Sequence, residues 1–563
     1  MEERNFDVVV AGSGSAGLTA AVTAAHHGLK VVLLEKSARF GGTSAWSGGG
    51  CWVPDNPLLK QIGLDDSRGA AEGYVKAVVG SYLREDLFAT FLDRSLEMLD
   101  FLLTKTEVEF LARKPAPDYH MDVPGALVGG RSLASPVYDA RRLGHNLPRL
   151  ELPLNSFNAP GGMMMSPLDF MHAMEMFKSW PSVAHIAKIS ARYAWDLVRY
   201  GRGTRVTMGN ALMARLLRSA MDAGVTLWAE TPVRRLIHDG IRVTGAVACR
   251  YDQEVVINAK HGVVLATGGF AANPELRARY YPQPALHRSM VKSTNTGDGL
   301  AIAQEVGAVI ETNNAHAGSW CMVSTIEHPG APPQHCMHFF MDLPKPGCIV
   351  VDKRGKRFGN EAGLLMGTAM QTAGAIPAWI ICDRPFIKKY GLGLIFPYGL
   401  NLALRRRQGY VIEAQTLRAL AGNIGVDPDG LEATISRTNS FADTGVDPDF
   451  KRGGSALDRS IGDSSHVPNP CLGQISTPPF YAVRLLPGDA GSVTGLRVNT
   501  LAQPLDATGA PICGLYACGL DMNSLWAGQG IANGMNHAHN MTFGYIAGRH
   551  LGSVDEVPNP RAD

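Results

Sequence analysis

The chain has 563 residues, of which 45% are hydrophobic and 18% charged, with a formal net charge of +2. That length holds two or three domains, and the near balance of charge gives no pointer to nucleic acid or to an anionic membrane. No apolar run reaches transmembrane length, and the nine cysteines are scattered without a C-x-x-C pair, which argues against iron–sulfur or structural zinc sites and for reduced thiols.

The short charged stretch Met1–Asn5 leads at once into a predicted strand, so no signal peptide and a cytoplasmic location are expected. The strand, Phe6–Ala11, runs into Gly12-Ser13-Gly14-Ser15-Ala16-Gly17 and then an alanine-rich helix that Gly28 ends. This is G-x-G-x-x-G in its required setting. Gly12 permits the sharp turn, Gly14 lets a diphosphate approach the backbone, and Gly17 lets helix and strand pack closely, with free N–H groups facing the anion. A second buried strand, Lys30–Leu34, ends at Glu35, placed to accept from a ribose hydroxyl, with Lys36 beside it.

The glycine-rich stretch Gly41–Gly50 follows, with Gly42, Thr43, Ser44, Ser47, Gly48 and Gly49 offering backbone to a flat ring system. Residues 100–205 read as an excursion, in which Ser166-Pro167-Leu168-Asp169 starts a helix. Met163, Met164 and Met165 with Met171, Met174 and Met176 read as adaptable core, or alternatively as a plastic substrate wall. A helix is predicted from Gly209, a cofactor contact at Val233, and another buried strand with a glycine stop at 262–270 that carries Ala266, Thr267 and Gly268. Near the C-terminus Gly514–Gly519 is a short strand followed by Asp521, an acid placed for ribityl hydroxyls.

The fold class expected is α/β: a Rossmann-like dinucleotide domain built from both ends of the chain, residues 1–285 and 475–563, with an α+β cap inserted at 286–474. NAD and FAD share the first turn. The early fingerprint, the Gly41–Gly50 surface and Asp521 favour FAD, and no second fingerprint offers a nicotinamide site. An external electron acceptor is therefore expected.

The set Gly12–Gly17, Glu35, Gly41–Gly50, Ala266–Phe270, Thr296-Gly297-Asp298-Gly299 and Met541–Tyr545 resembles the fumarate reductase/succinate dehydrogenase flavoprotein superfamily. Within it the chain is most similar to 3-ketosteroid Δ1-dehydrogenases and cyclohexanone dehydrogenase-like enzymes. The resemblance implies a split FAD domain, an inserted cap, and removal of two hydrogens from adjacent carbons beside a carbonyl. It adds Gly297 and Asp298 to the cofactor contacts. Covalent members carry a histidine where this chain has Thr43–Trp46, so non-covalent FAD is expected.

Pro117-Asp118-Tyr119-His120 matches the family's tyrosine run. Two other family tyrosines are absent: Leu364-Leu365 follows Asn360-Glu361, and Gly530 stands in the late loop whose last glycine is Gly534. The resemblance makes Gly534 N–H a donor to the carbonyl oxygen. It points to Tyr193, then Tyr119 or Tyr200, as the base, with Arg192, Arg199, Arg202 or Arg205 lowering the phenol. The alternative for Tyr193 is a helix-face core residue. Trp526, Leu365 and Gly530 are read as the substrate pocket, for a small apolar carbonyl compound. No metal site is expected; His328, His335 and His338 lack ligand spacing. Two rival functions remain: a reductase of a fumarate-like alkene, for which His328-Pro329-Gly330 is the pointer, and an electron-transfer flavoprotein without catalysis of its own.

Overall fold

The structure, a computed structural model, describes residues 2–154, 158–159, 161–176 and 179–553. The run Val8-Val9-Val10 has no polar alternation, so its strand must be covered on both faces. It forms β1 (Glu2–Ala11), in the middle of a seven-stranded sheet. The glycine turn leads into α1 (Ser15–His26), and the chain returns as β2 (Val31–Leu34), parallel to β1 with Val8 opposite Val31 and Ala11 opposite Leu34.

On its other side β1 pairs in parallel with the long strand Gln253–Leu265, Ala11 opposite Leu265. That strand is shared. Its first half pairs antiparallel with Val243–Arg250, and its last residues pair in parallel with Leu515–Ala517. The two ends of the chain thus meet in one sheet. The helix Met535–Ser553 then lies against α1, so close that a Cβ on Gly544 would sit 2.4 Å from Ala16 O and one on Gly548 2.6 Å from Ala20 O.

A second, largely antiparallel sheet forms the cap. Its central strand is Phe480–Ser492, flanked by Gly318–His328 and Ala378–Asp383, with Cys348–Val351 beyond. The cap therefore runs past residue 474, the edge expected from sequence. An apolar strand at 480–486 fits either sheet, and only pairing decides which. The cap has its own cores, one around Met322, Val350, Ile380 and Val483.

In the excursion, Ser166 caps Pro167–Met174 in a full capping box with Asp169, and the helix Trp180–Tyr200 follows. Met163, Met164 and Met165 are half-buried, with Met164 packed against the main core, and Met171 is exposed. His328-Pro329-Gly330 forms the turn of the hairpin between Gly318–His328 and Ala331–His338, with Pro329 and Gly330 exposed and none of the three lining the cofactor cleft.

Candidate active site

A cleft opens where β1, Gln253–Leu265 and Leu515–Ala517 end side by side. Of the residues read as cofactor contacts, Gly12, Ser13, Gly14, Ser15, Ala16, Glu35, Lys36, Gly42, Thr43, Ser44, Val233, Ala266, Thr267, Gly268, Asp298 and Gly519 line it. Gly12 has φ +107°, and a Cβ there would lie 2.1 Å from Ala266 O, so the turn accepts no side chain. The first turn of α1 holds no acid; Ser15 N donates to Ser44 Oγ at 3.2 Å, and the N–H groups of Ala16 and Gly17 remain for an anion. Glu35 accepts from Ser13 N at 3.1 Å, Ser13 Oγ at 2.5 Å and Ser37 N at 2.8 Å. Lys36 Nζ pairs with Asp298 at 2.8 Å.

Six other residues read as contacts lie outside the cleft lining. Gly17 packs against Gly12 O. Gly297 donates its N–H to Gly269 O at 2.9 Å and precedes the helix Asp298–Glu305. Gly49 abuts Met208, while Gly48 is exposed. Ser47 bonds His537, which also bonds Ser15, at 2.7 and 3.0 Å. Asp521 is the clearest correction. It is fully buried and accepts from Thr267 N at 2.5 Å, Thr267 Oγ1 at 2.9 Å and Gly269 N at 3.1 Å. Its carboxylate ties the strand ends together instead of reaching for ribityl hydroxyls, and burial pushes its pKa up to about 6.

Sequence reasoning missed Thr231, Asn295 and Asn540, which also line the cleft. Asn540 Oδ1 is buried with no partner there, a polar atom that a dinucleotide's donors would satisfy. A glycine turn, a helix end with free N–H groups, an acid at the second strand and an orphaned amide oxygen together fit FAD.

A second cluster forms around Tyr119. Asp118 is its buried anchor, accepting from Trp52 Nε1 at 2.9 Å, Arg131 Nη1 at 2.8 Å and Leu127 N at 2.9 Å. Arg131 also holds Asp66 through two bonds, at 2.5 and 2.8 Å. Tyr119 then packs beside Gly530 and Leu365: a Cβ on Gly530 would lie 3.0 Å from Leu365 Cδ2 and 3.4 Å from Tyr119 Cδ2. From the cap, Phe339 meets the Tyr119 ring edge-on with centroids 6.5 Å apart. His120 Nε2 lies 3.0 Å from Gly530 O. Glu361, buried between Arg357 and Arg452, fixes the turn that carries Leu365.

The 530–537 stretch links this cluster to the cofactor cleft. Ser132 Oγ donates to Asn533 O at 2.7 Å, Gly534 packs on Gly50 and Cys51, and His537 reaches Ser15. Among the described residues the Gly534 N–H has no protein acceptor, and it opens the helix Met535–Ser553. Burial raises the Tyr119 phenol, and the field of Arg113 opposes that shift.

Tyr193 stands apart. It shares no hydrogen bond or ring contact with Tyr119, Leu365 or Gly530, and its hydroxyl donates to Gly161 O at 2.8 Å. Burial raises its pKa, and no arginine offsets this. Arg192 pairs with Asp139, Arg202 donates to Leu147 and Leu150 carbonyls, Arg205 pairs with Asp169, and Arg199 covers Tyr200. Trp526 is no pocket wall either. It is 0% exposed and packs on Phe91, Trp52 and Phe88, with centroids 5.2, 5.9 and 6.5 Å away. Those partners are remote in sequence, so the pattern around Trp526 did not reveal them.

A dinucleotide cleft joined through the 530–537 stretch to an aromatic cluster that holds a phenol fits a flavin oxidoreductase. The chain belongs to the FAD binding domain family, which it matches over residues 7–537, and its cofactor is FAD. It is 36% identical over 554 residues to a 4-oxocyclohex-2-ene-1-carboxylate 5-dehydrogenase of Sinomonas cyclohexanicum, covering 97% of this chain and 93% of that one. It is 34% identical to a 3-oxosteroid 1-dehydrogenase of Mycolicibacterium smegmatis, covering 97% of each. The crystal structure of a 3-ketosteroid Δ1-dehydrogenase from Sterolibacterium denitrificans with 1,4-androstadiene-3,17-dione superposes with a TM-score of 0.89 at 33% identity, over 98% of this chain and 99% of that one.

The role given to Asp521 has a direct test. In Asp521→Asn an amide N–H faces backbone donors, so the variant should lose about 1–3 kcal/mol of stability and bind FAD more weakly. Thermal melts and flavin titration measure this; an unchanged melting point and affinity would contradict the role.

Proposed function

We propose that this enzyme removes hydrogens from the α and β carbons of a cyclic, apolar ketone, leaving a conjugated double bond. The observation that carries the reading is Tyr119, held against Gly530 and Leu365 at one end of the loop whose other end reaches the cofactor cleft. The relatives' names both describe a ring ketone, which supports the substrate class. The chemistry that FAD supplies is acceptance of a hydride from carbon.

The chain's own groups handle the rest. Gly534 N–H, at a helix N-terminus, donates to the ketone oxygen and stabilises the negative charge that develops there. Tyr119, as phenolate, takes the α-proton. Leu365, Gly530 and Phe339 form apolar walls that exclude water. Two electrons leave the enzyme to an external acceptor. No histidine, cysteine or tyrosine lines the cofactor cleft, which supports non-covalent FAD. All nine cysteines are unpaired, which supports a cytoplasmic location. Among the described residues no helix is long and apolar enough to cross a membrane.

Acid precipitation should therefore leave the yellow flavin in the supernatant; colour retained in the pellet would mean a covalent link. Tyr119→Phe should keep its flavin and lose about 10²–10⁴-fold in kcat when a cyclic ketone is oxidised with a dye acceptor. Because burial raises the phenol, activity should climb with pH up to and past about 10, the ordinary phenol value. Arg113→Met should move the profile further alkaline. Near-normal turnover in Tyr119→Phe, or a plateau already reached near neutrality, would assign the proton to another group.

A further inference from the structure

The helix Trp180–Tyr200 packs on the body along one side, where Val183, His185, Ile186, Arg192 and Tyr193 are half-buried. Its buried residues are Ser182, Ile189 and Asp196. Polar bonds fix that inner side: Asp196 accepts from Thr204 N and Oγ1 at 2.9 and 2.8 Å, and Arg192 pairs with Asp139 at 3.0 Å. At about 100° per residue, the opposite side carries Trp180, Ala184, Ala187, Ala191, Trp195 and Val198. All six are exposed, Trp180 at 80%, Trp195 at 64% and Val198 at 84%.

A surface helix normally turns its apolar stripe inward. Here the inner side holds Ser182 and Asp196 beside Ile189, with Val183 and Ile186 half-buried, and a second apolar stripe faces water. Lys188 and Arg199 line one side of the stripe, both exposed, and the helix exposes no acid. The packed neighbour Pro167–Met174 exposes Leu168 and Met171 as well. Glu175 is the one exposed acid among the described residues of 161–205. The whole-chain charge of +2 averages this local basic, apolar ridge away.

We propose that this ridge docks the enzyme on an anionic lipid surface. Trp180, Trp195 and Val198 sit at the boundary of headgroups and acyl chains, and Lys188 and Arg199 meet lipid phosphates. The shape selects this occupant. A convex ridge about 31 Å long and about 10 Å wide lies flat on a plane along its whole length. Against a second copy it would bury only on the order of 300 Å², short of the roughly 800 Å² per partner of a stable interface, and would bring two basic flanks together.

The FAD-loaded enzyme is pelleted with vesicles of phosphatidylglycerol and phosphatidylcholine, and with phosphatidylcholine alone. Binding is expected to the first, weakened at about 0.5 M salt, where the Debye length shrinks. The double variant Trp180→Ser, Trp195→Ser should partition at least about tenfold less, with flavin content and turnover of a soluble ketone unchanged. Wild-type enzyme left in the supernatant with both vesicle types overturns the proposal, as does equal binding of the double variant. Sedimentation velocity without vesicles completes the test. A wild-type dimer that the double variant abolishes assigns the ridge to a second copy and overturns the proposal; the same oligomeric state in both leaves the ridge to lipid and supports it.

Discussion

One seam holds the molecule together: the line where β1, the 253–265 strand and the 515–517 strand end level with one another. Ala266 O lies where a side chain on residue 12 would be, and Asp521 binds Thr267 and Gly269 from the far end of the chain. Burial opposes the ionisation of Asp521, and three donated hydrogen bonds offset it. This seam sets the floor of the cofactor cleft. It also fixes where the next stretch, 530–537, must run, and so where the substrate walls meet the flavin side.

The substrate side depends on a second buried charge system. Asp118 and Asp66 share Arg131, and all three side chains are about 1% exposed. Breaking one partner of such a cluster leaves uncompensated charge, so the Asp118-Tyr119-His120 run is held rigidly. The cap contributes Phe339, just past the strand Ala331–His338, and Leu365, just before the helix Met366–Ala373, and it has a core of its own. A phenol raised by its own burial is a scarce but strong base, the right partner for a weakly acidic C–H bond beside a carbonyl.

Much of the cofactor side was legible because its signals are local. Gly12, Gly14 and Glu35 act within one strand–turn–helix–strand unit, where spacing is geometry. Asp521 was legible as an acid near the cofactor but not as a tie, because its partners lie 252 and 254 positions away in sequence. The same holds for the cap boundary, since the Phe480–Ser492 strand chooses its sheet by long-range pairing. Trp526 and Tyr193 failed for a related reason: an aromatic side chain does not reveal in sequence whether its neighbours are a core, a backbone carbonyl or a substrate. Tyr119 was placed by a motif match, and Leu365 and Gly530 as positions where the family's other tyrosines are missing; the three meet from distant segments.

The most direct measurement is anaerobic mixing of the oxidised, FAD-loaded enzyme with cyclohexanone, 4-oxocyclohexanecarboxylate or a 3-oxosteroid, following flavin absorbance near its visible maximum. Loss of the oxidised flavin band with at least one ring ketone, matched one-to-one by conjugated enone, is the predicted result. A flavin that dithionite reduces normally yet none of these ketones bleaches would contradict the account.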